Sequence, residues 1–373
     1  MGGSANGYDA PSAAHTLREV ALDVTSVVAG GAGLAREPTG RVVFVRGGLP
    51  GERVIARLTE ERRDFARAQV VRVLDASPDR VEPPCRFVAL GCGGCEWQHV
   101  APEAQARYKR SIVVDALRRI ARIDDPPVAD TIVLPPLRYR TTVRIAVDRD
   151  GRPAFRKFNS HDLVTVDDCL VLHPSIASRL RDEVWPDVGE VTLRLDEEIV
   201  AGRHFDVSPG SFFQIRSDGA EQLVALVAGA LTRHDAKTVV DLYAGVGLFA
   251  ATMHDRGFEV LIAVEGNKTA VADARRNLAG VCPVVSADVA KWQGIVADAV
   301  IADPSRDGLR AAGVATVLRC APDTVVLVSC DPAALARDAK LLSEAGFALE
   351  TVQPLDMFVQ TPHIEVVSTF VRL

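Results

Sequence analysis

Between Leu17 and Ala76, hydrophobic and polar positions alternate in short stretches: LREVALDVTSV, RVVFVRG, ERVIARLTEE and ARAQVVRVLDA, broken by turns at GGAG and LPGE. A period of two sends every second side chain to one face, so the segment predicts a small, OB-like all-β barrel over residues 17–76. SPDRVEPPC then forms a Pro-rich hinge. From 77 to 205 the pattern is mixed: PEAQARYKRSIVVDALRRIA reads as a basic helix, RTTVRIAVD and LVTVDD as strands, with no legible topology. These features predict a central α+β domain. From 206 to 373 the apolar runs TVVDLYAG, VLIAVEG, PVVSAD, AVIADPS and TVVLVSCD are each followed by a helical stretch. Strand and helix in alternation predict a parallel, doubly wound, Rossmann-like α/β sheet. FALETVQPLDMF and HIEVVSTFVRL follow each other without a helix and predict an antiparallel hairpin at one edge. The opening MGGSANGYDAPSAAHT has no apolar period, and residues 1–16 are expected to be a flexible tail.

A chain of 373 residues suits two or three cores. No apolar run of about 20 residues escapes a charge or turn residue, and no basic-then-apolar leader opens the sequence, so a soluble, cytoplasmic protein without a membrane partner is expected, as a monomer. The net charge of -6 speaks against a polyanion partner, but its distribution is uneven. Eight Arg face four acids between Arg41 and Arg72, and six Lys or Arg face two acids between Glu103 and Arg122. Such runs are compatible with RNA, and the helix around Lys109 and Arg110 is a candidate for phosphate contacts. The seven Cys are odd in number and unevenly spaced, which disfavours a disulfide framework and leaves metal binding or catalysis for the clustered ones.

DLYAGVGLFA ends a strand and opens a helix, with Gly245 and Gly247 allowing close approach of a ligand to the backbone. GVGLFA also satisfies the loose dinucleotide pattern, with Glu265 where a ribose-binding acid would sit, so a nicotinamide or flavin enzyme is an alternative on this motif alone. Cys330 stands at the carboxyl end of the fifth strand, before Asp331, Pro332 and a helix. Isolated cysteines in apolar strands are usually inert, as we read Cys282 and Cys320. A thiol at a helix N-terminus, however, has its thiolate favoured and is a candidate nucleophile.

The ordered set GGAGLA, VVFVRGGLPGE, CGGCEWQH, SFFQI, DLYAGVGLF, DPSRDGL, VSCDPAALARD and HIEVV resembles the TRAM-containing RNA uracil-C5 methyltransferases over about nine-tenths of the chain. The resemblance implies S-adenosylmethionine as methyl donor and RNA as substrate, ribosomal rather than transfer RNA. In that chemistry a thiolate, matched by Cys330, adds to carbon 6 of the uracil and makes carbon 5 nucleophilic, and a base, matched by Glu365, later removes the carbon 5 proton. Asp303 and Gln214 match positions at the junction of cofactor and target base, and Phe212 the ring that stacks on a flipped uracil. Tyr243, Gly245 and Glu265 match cofactor contacts, and Asp288 the adenine side. The sequence departs from the family's common residues at Asp331, Ser305, Arg216 and Leu248, without losing a reacting group.

Cys85, Cys92 and Cys95, separated by six and then two residues, suit zinc or an iron-sulfur cluster. The resemblance adds Cys169 as fourth ligand and implies a 4Fe-4S cluster. His99 is read as a packing or hydrogen-bonding residue. Two further readings stand beside the methyltransferase: a non-catalytic RNA-binding protein of the same fold, and a nucleotide-cofactor oxidoreductase using the cluster.

Overall fold

The computed structural model describes residues 18–186 and 189–373; the tail expected over residues 1–16 lies outside them. The described residues divide into two compact units, one of residues 18–28 and 32–78, the other of residues 29–31 and 79–373.

In the first unit β1 (Glu19–Val27), β2 (Gly33–Arg36), β3 (Val42–Arg46), β4 (Arg53–Glu61) and β5 (Phe65–Asp75) close into a barrel in the order β1-β2-β3-β5-β4. Alternation fills it: Val54, Ala56 and Leu58 of β4 point inward with Leu22, Val24, Val43, Val45, Ala66 and Ala68, while Arg53 and Arg57 face outward. Ala and β-branched residues dominate because so narrow a barrel has no room for larger side chains. The arginines are less available than their number suggests. Arg41 pairs with Glu37 and Glu61, Arg57 with Glu19, and both Arg62 and Arg67 with Glu60.

The second unit begins with α1 (Arg86–Ala89) and α2 (Pro102–Ala116), the latter started by a proline at its first turn and extended by a π-helical turn over Leu117–Ala121. Strands β6 (Thr142–Val147), β7 (Pro153–Arg156), β8 (Leu163–Thr165) and β9 (Glu190–Arg194) form an antiparallel sheet in the order β8-β7-β6-β9, with α3 (Pro174–Asp182) contributing Ile176, Ala177 and Leu180 to its core. After the short hairpin of β10 (Glu198–Val200) and β11 (Arg203–Phe205) comes α4 (Ser217–Arg233).

The large sheet holds β12 (Thr238–Leu242), β13 (Glu259–Glu265), β14 (Val284–Ser286), β15 (Ala299–Ala302), β16 (Thr324–Ser329), β17 (Phe347–Leu355) and β18 (Glu365–Arg372) in the order β14-β13-β12-β15-β16-β18-β17. The first five strands are parallel; β18 runs antiparallel between β16 and β17. The expected edge hairpin is therefore present, with its second strand inserted against the parallel set. Helices α5 (Leu248–Asp255), α6 (Lys268–Asn277), α7 (Arg310–Arg319) and α8 (Pro332–Glu344) make the crossovers. Val239, Ala299, Ile301, Val326 and Val328 join one apolar cluster with residues of α4, α5 and α6, while their neighbours Val240, Val300, Val325 and Leu327 are equally buried. Strands covered on both faces are apolar throughout rather than alternating, which is why these runs stand out in the sequence. One expected helix is absent: β14 is followed by a single 3-10 turn, Val289–Lys291, and Gly294 with φ of +80° then takes the chain into an extended path.

Helix α2 corrects another expectation. Its Lys109 is fully buried, ion-paired with Asp356 and donating to the Phe358 carbonyl at 3.2 Å, so it is unavailable to phosphate. Arg110 donates to the carbonyls of Val128 and Ala129. A periodic sequence shows which residues share a helix face, but not that a cation on the inner face will meet a buried carboxylate.

Candidate active site

The chain leaves β12 for β13 and β14 on one side, then returns to start β15 on the other. The crevice at the carboxyl ends of β12 and β15 is where such sheets hold ligands. Sequence register sets the chemistry there. On β16 and β18, Val328 pairs with Val367 and Ser329 with Val366, so Cys330, just past β16, and Glu365, the first residue of β18, lie at the same end of the ladder. Asp303 follows β15 directly, its amide donating to the Leu242 carbonyl at 3.3 Å. These groups feel one another. Burial pushes the Cys330 thiol up to about 11, with the charges of Glu365 and Asp303 adding to it and Arg306 opposing. Burial likewise raises Asp303 to about 7. Burial, reinforced by the Asp303 charge, holds Glu365 well above the ordinary carboxylate range.

Burial and the two acids favour the neutral thiol of Cys330, against the helix-end effect that favours its thiolate. Pro332 brings no N–H to the first turn of α8, and the Asp331 side chain accepts the Ala334 amide at 2.7 Å. The helix terminus is already answered by a carboxylate, leaving burial and two nearby acids to dominate.

At the end of β12, Tyr243 and Gly245 have φ of 60° and 57°, and Gly247 has 96°. A side chain on Gly247 would collide with Leu278 at about 2.9 Å, whereas Gly245 faces open space, so the two glycines serve packing and ligand approach respectively. Glu265 ends β13 and accepts the amides of Gly245 at 2.9 Å and Asn267 at 2.6 Å, tying the two strand ends together. Asp288, beyond β14, is mostly exposed and accepts the Ala290 amide at 3.1 Å. Asp241 carries no role in the sequence reading although it opens DLYAG. It is fully buried, accepts from Ala250 at 2.9 Å through one oxygen, and its Oδ1 has no protein partner. Burial first, then the charges of Asp303 and Glu265, push it up to about 8. An orphaned buried acceptor beneath an open glycine turn is a site that a polar ligand or water completes.

The segment before α4 presents Phe212, 67 % exposed, between buried Ser211 and Phe213, with Gln214 also buried. Such exposure of a large ring is what a stacking platform needs. The segment is tied down by Asp273 of α6, fully buried, whose carboxylate accepts the Ser208 amide at 3.0 Å, the Ser208 and Ser211 hydroxyls at 2.5 Å, and the Arg276 guanidinium. Asp273 was invisible in the sequence because the two serines it holds lie more than 60 positions away.

Cys85, Cys92, Cys95 and Cys169 all line one cavity, walled by Phe87, Val143, Phe155 and Val166. The Gln98 side chain accepts the Cys85 amide at 3.1 Å. Burial holds Cys92, Cys95 and Cys169 as thiols, pushing Cys95 up to about 12. Among the described residues, no three His, Cys, Asp or Glu side chains converge as a single metal ion would require.

Residues 17–71 match the TRAM domain model. The chain is 32% identical to the 23S rRNA (uracil(1939)-C(5))-methyltransferase RlmD of Methylococcus capsulatus, over 95% of this chain and 97% of that protein. It belongs to the TRAM-domain RNA uracil-C5 methyltransferases. An uncharacterized RNA methyltransferase of Streptomyces coelicolor is also 32% identical, with 94% of this chain and 92% of that protein covered. The fold is that of the Pyrococcus abyssi tRNA (uracil-54, C5)-methyltransferase crystallised with S-adenosyl-L-homocysteine, at a TM-score of 0.74 and 23% identity, covering 94% of this chain and 100% of that one.

The departures from common family residues in this methyltransferase have structural accounts. Asp331 caps α8 through a side-chain oxygen, as an Asn could. Arg216 is fully buried, bound to Asp218 at 2.7 Å through two nitrogens and stacked 4.2 Å over Tyr139, so it acts within the protein. Leu248 packs into the core, and Ser305 lies exposed. Among the described residues, no helix is long and apolar enough to cross a membrane.

Proposed function

We propose that this chain methylates carbon 5 of a uridine in 23S ribosomal RNA, with Cys330 as nucleophile and Glu365 as base. The observation that supports the reading is the pairing of β16 with β18, whose ladder ends beside both the thiol and the carboxyl, at the sheet's ligand-binding end. The Cys330 thiol loses its proton to water, its sulfur bonds to carbon 6, and the carbon 5–carbon 6 π pair moves to carbon 5 and the carbon 4 oxygen. S-adenosylmethionine, when bound, supplies the electrophilic methyl group. A carboxylate made more basic by burial suits the next task, removal of the carbon 5 proton, after which the sulfur leaves with its bonding pair and the ring double bond returns. Tyr243, Gly245, Glu265 and Asp288 would hold the cofactor, Gln214 and Asp303 would address cofactor and base together, and Phe212 would stack on the flipped uracil. The open face of Gly245 and the orphaned oxygen of Asp241 support a polar ligand there.

Cys85, Cys92, Cys95 and Cys169 would hold a 4Fe-4S cluster, whose part is structural because methyl transfer needs no electron. Four thiols lining one apolar-walled cavity support a shared group there, and the sequence resemblance is what names it as an iron-sulfur cluster rather than zinc.

Cys330→Ala is expected to bind RNA yet transfer no methyl group. Glu365→Gln is expected to stall after methylation, leaving a protein–RNA adduct that survives denaturing electrophoresis. Methylation by Cys330→Ala would overturn the nucleophile. Mapping 5-methyluridine with and without the protein tests the target, and a loss confined to transfer RNA would reverse it.

A further inference from the structure

Glu365 is preceded by residues 356–364, which leave β17 and turn back into β18. This turn is unusually polar inside. Asp356 and Gln360 are 1 % and 6 % exposed, and Gln360 is held at a φ of 69°, a left-handed value costly for a residue with a Cβ. Its strain and its polar groups are answered almost entirely from residues more than 200 positions earlier. The Trp97 amide donates to the Gln360 carbonyl at 2.9 Å. The Gln105 side chain accepts the Gln360 amide at 2.8 Å and donates to its side-chain oxygen at 3.0 Å, while the same nitrogen donates to the Trp97 and Val100 carbonyls at 3.2 and 2.9 Å. Lys109, one helical turn on, binds Asp356 and the Phe358 carbonyl. The Tyr139 hydroxyl donates to the Val359 carbonyl at 3.1 Å.

We propose that Gln105 and Lys109 are positioning residues for Glu365: with the Trp97 backbone they clamp the turn 356–364 so that the carboxyl stands beside Cys330. The inference rests on the reading of Glu365 as the base. The arrangement is costly for mere stability, since a buried ion pair seldom repays its desolvation and apolar residues of the same size would fill the space as well. Its return is geometric: a network with every member satisfied has one arrangement, and a base must stand within hydrogen-bond reach of the proton it takes. The clamp also begins in the cysteine segment. Cys95 lines the thiol cavity, Gln98 accepts the Cys85 amide, and Trp97 between them holds Gln360, so the order of that cavity is passed to the turn that carries the base.

The test uses the full chain and two variants, Gln105→Met and the double Lys109→Met/Asp356→Asn, which leaves no unpaired charge. Both are expected to retain RNA affinity within about twofold, to turn over at least tenfold more slowly, and to accumulate the denaturation-resistant protein–RNA adduct during turnover, because addition proceeds while proton removal lags. Faster amide exchange in peptides covering 356–364, against unchanged exchange in β12–β15, would accompany it. A rate loss that merely follows the folded fraction, with no adduct, would assign the network to stability alone and overturn the proposal, as would unchanged turnover. Glu365→Gln separates the two levels: if it accumulates adduct and the clamp variants do not, the clamp fails while the base stands, and if it turns over normally, the base assignment itself fails.

Discussion

Asp273 offers a measure of how far one buried carboxylate organises the segment that presents Phe212. It is fully buried and accepts from the Ser208 amide, two hydroxyls and Arg276. Burial pushes its pKa up, and these donors more than cancel that, leaving it below the ordinary range. Hydrogen bonds to a charged group contribute roughly 1.5–3 kcal/mol each, and are not additive. Arg276 is half exposed and Ser208 only half-buried, so both can turn to water while Ser211 stays buried, and Asp273→Ala should cost about 3–4 kcal/mol rather than the full sum. With about 5–15 kcal/mol available the protein should still fold at 25 °C, and its melting temperature should drop by about 6–10 °C. The functional signature should be selective: the 206–211 segment loosens, Phe212 loses its support, and RNA affinity weakens while cofactor affinity holds. The pH dependence has a definite sign. A carboxylate with a depressed folded pKa contributes stability above its unfolded value, about 3.9, and loses it as pH falls; the variant should therefore lose that part of the acid sensitivity. Calorimetry at two pH values and RNA titration check this. A change below about 0.5 kcal/mol, or a loss no larger than that of Arg276→Ala, would refute the reasoning.

Two further outcomes follow from the thiols. With Cys330 pushed up to about 11, its alkylation by iodoacetamide should be slow at neutral pH and rise steadily toward that value, read by mass spectrometry of the Cys330 peptide; a plateau near pH 8 would show an activated thiolate instead. Anaerobically prepared protein should be brown with about four iron atoms per chain, and Cys92→Ser or Cys169→Ser should lose the colour and destabilise the region around β6–β9 most; zinc without iron after reconstitution would exclude the cluster.

Much of this protein is legible along the chain, because the rules involved are local. Alternation over β1–β5 and the continuous apolar runs of β12–β16 follow from one face or two being covered, and the positions of DLYAG, DPSR and SCDP at strand ends follow from strand length. A helix after β14 was expected from the same logic and is missing, since Gly294 and the short stretch before β15 leave no turn to build on. What the sequence left undecided are the relations between distant residues. That Cys330 and Glu365 come to the same end of the sheet depends on β18 entering between β16 and β17, a choice of sheet order that neither strand encodes. Lys109 reads as a surface cation in its basic helix and becomes a buried partner of Asp356 only when the turn before Glu365 packs beneath it. The Cys330 thiol reads as activated from its place at a helix end, yet burial beside Asp303 and Glu365 reverses the sign. Periodicity is a property of neighbours in sequence, whereas burial, ion pairing and proton affinity are set by neighbours in space, and in this enzyme the groups proposed for catalysis are brought together by tertiary structure alone.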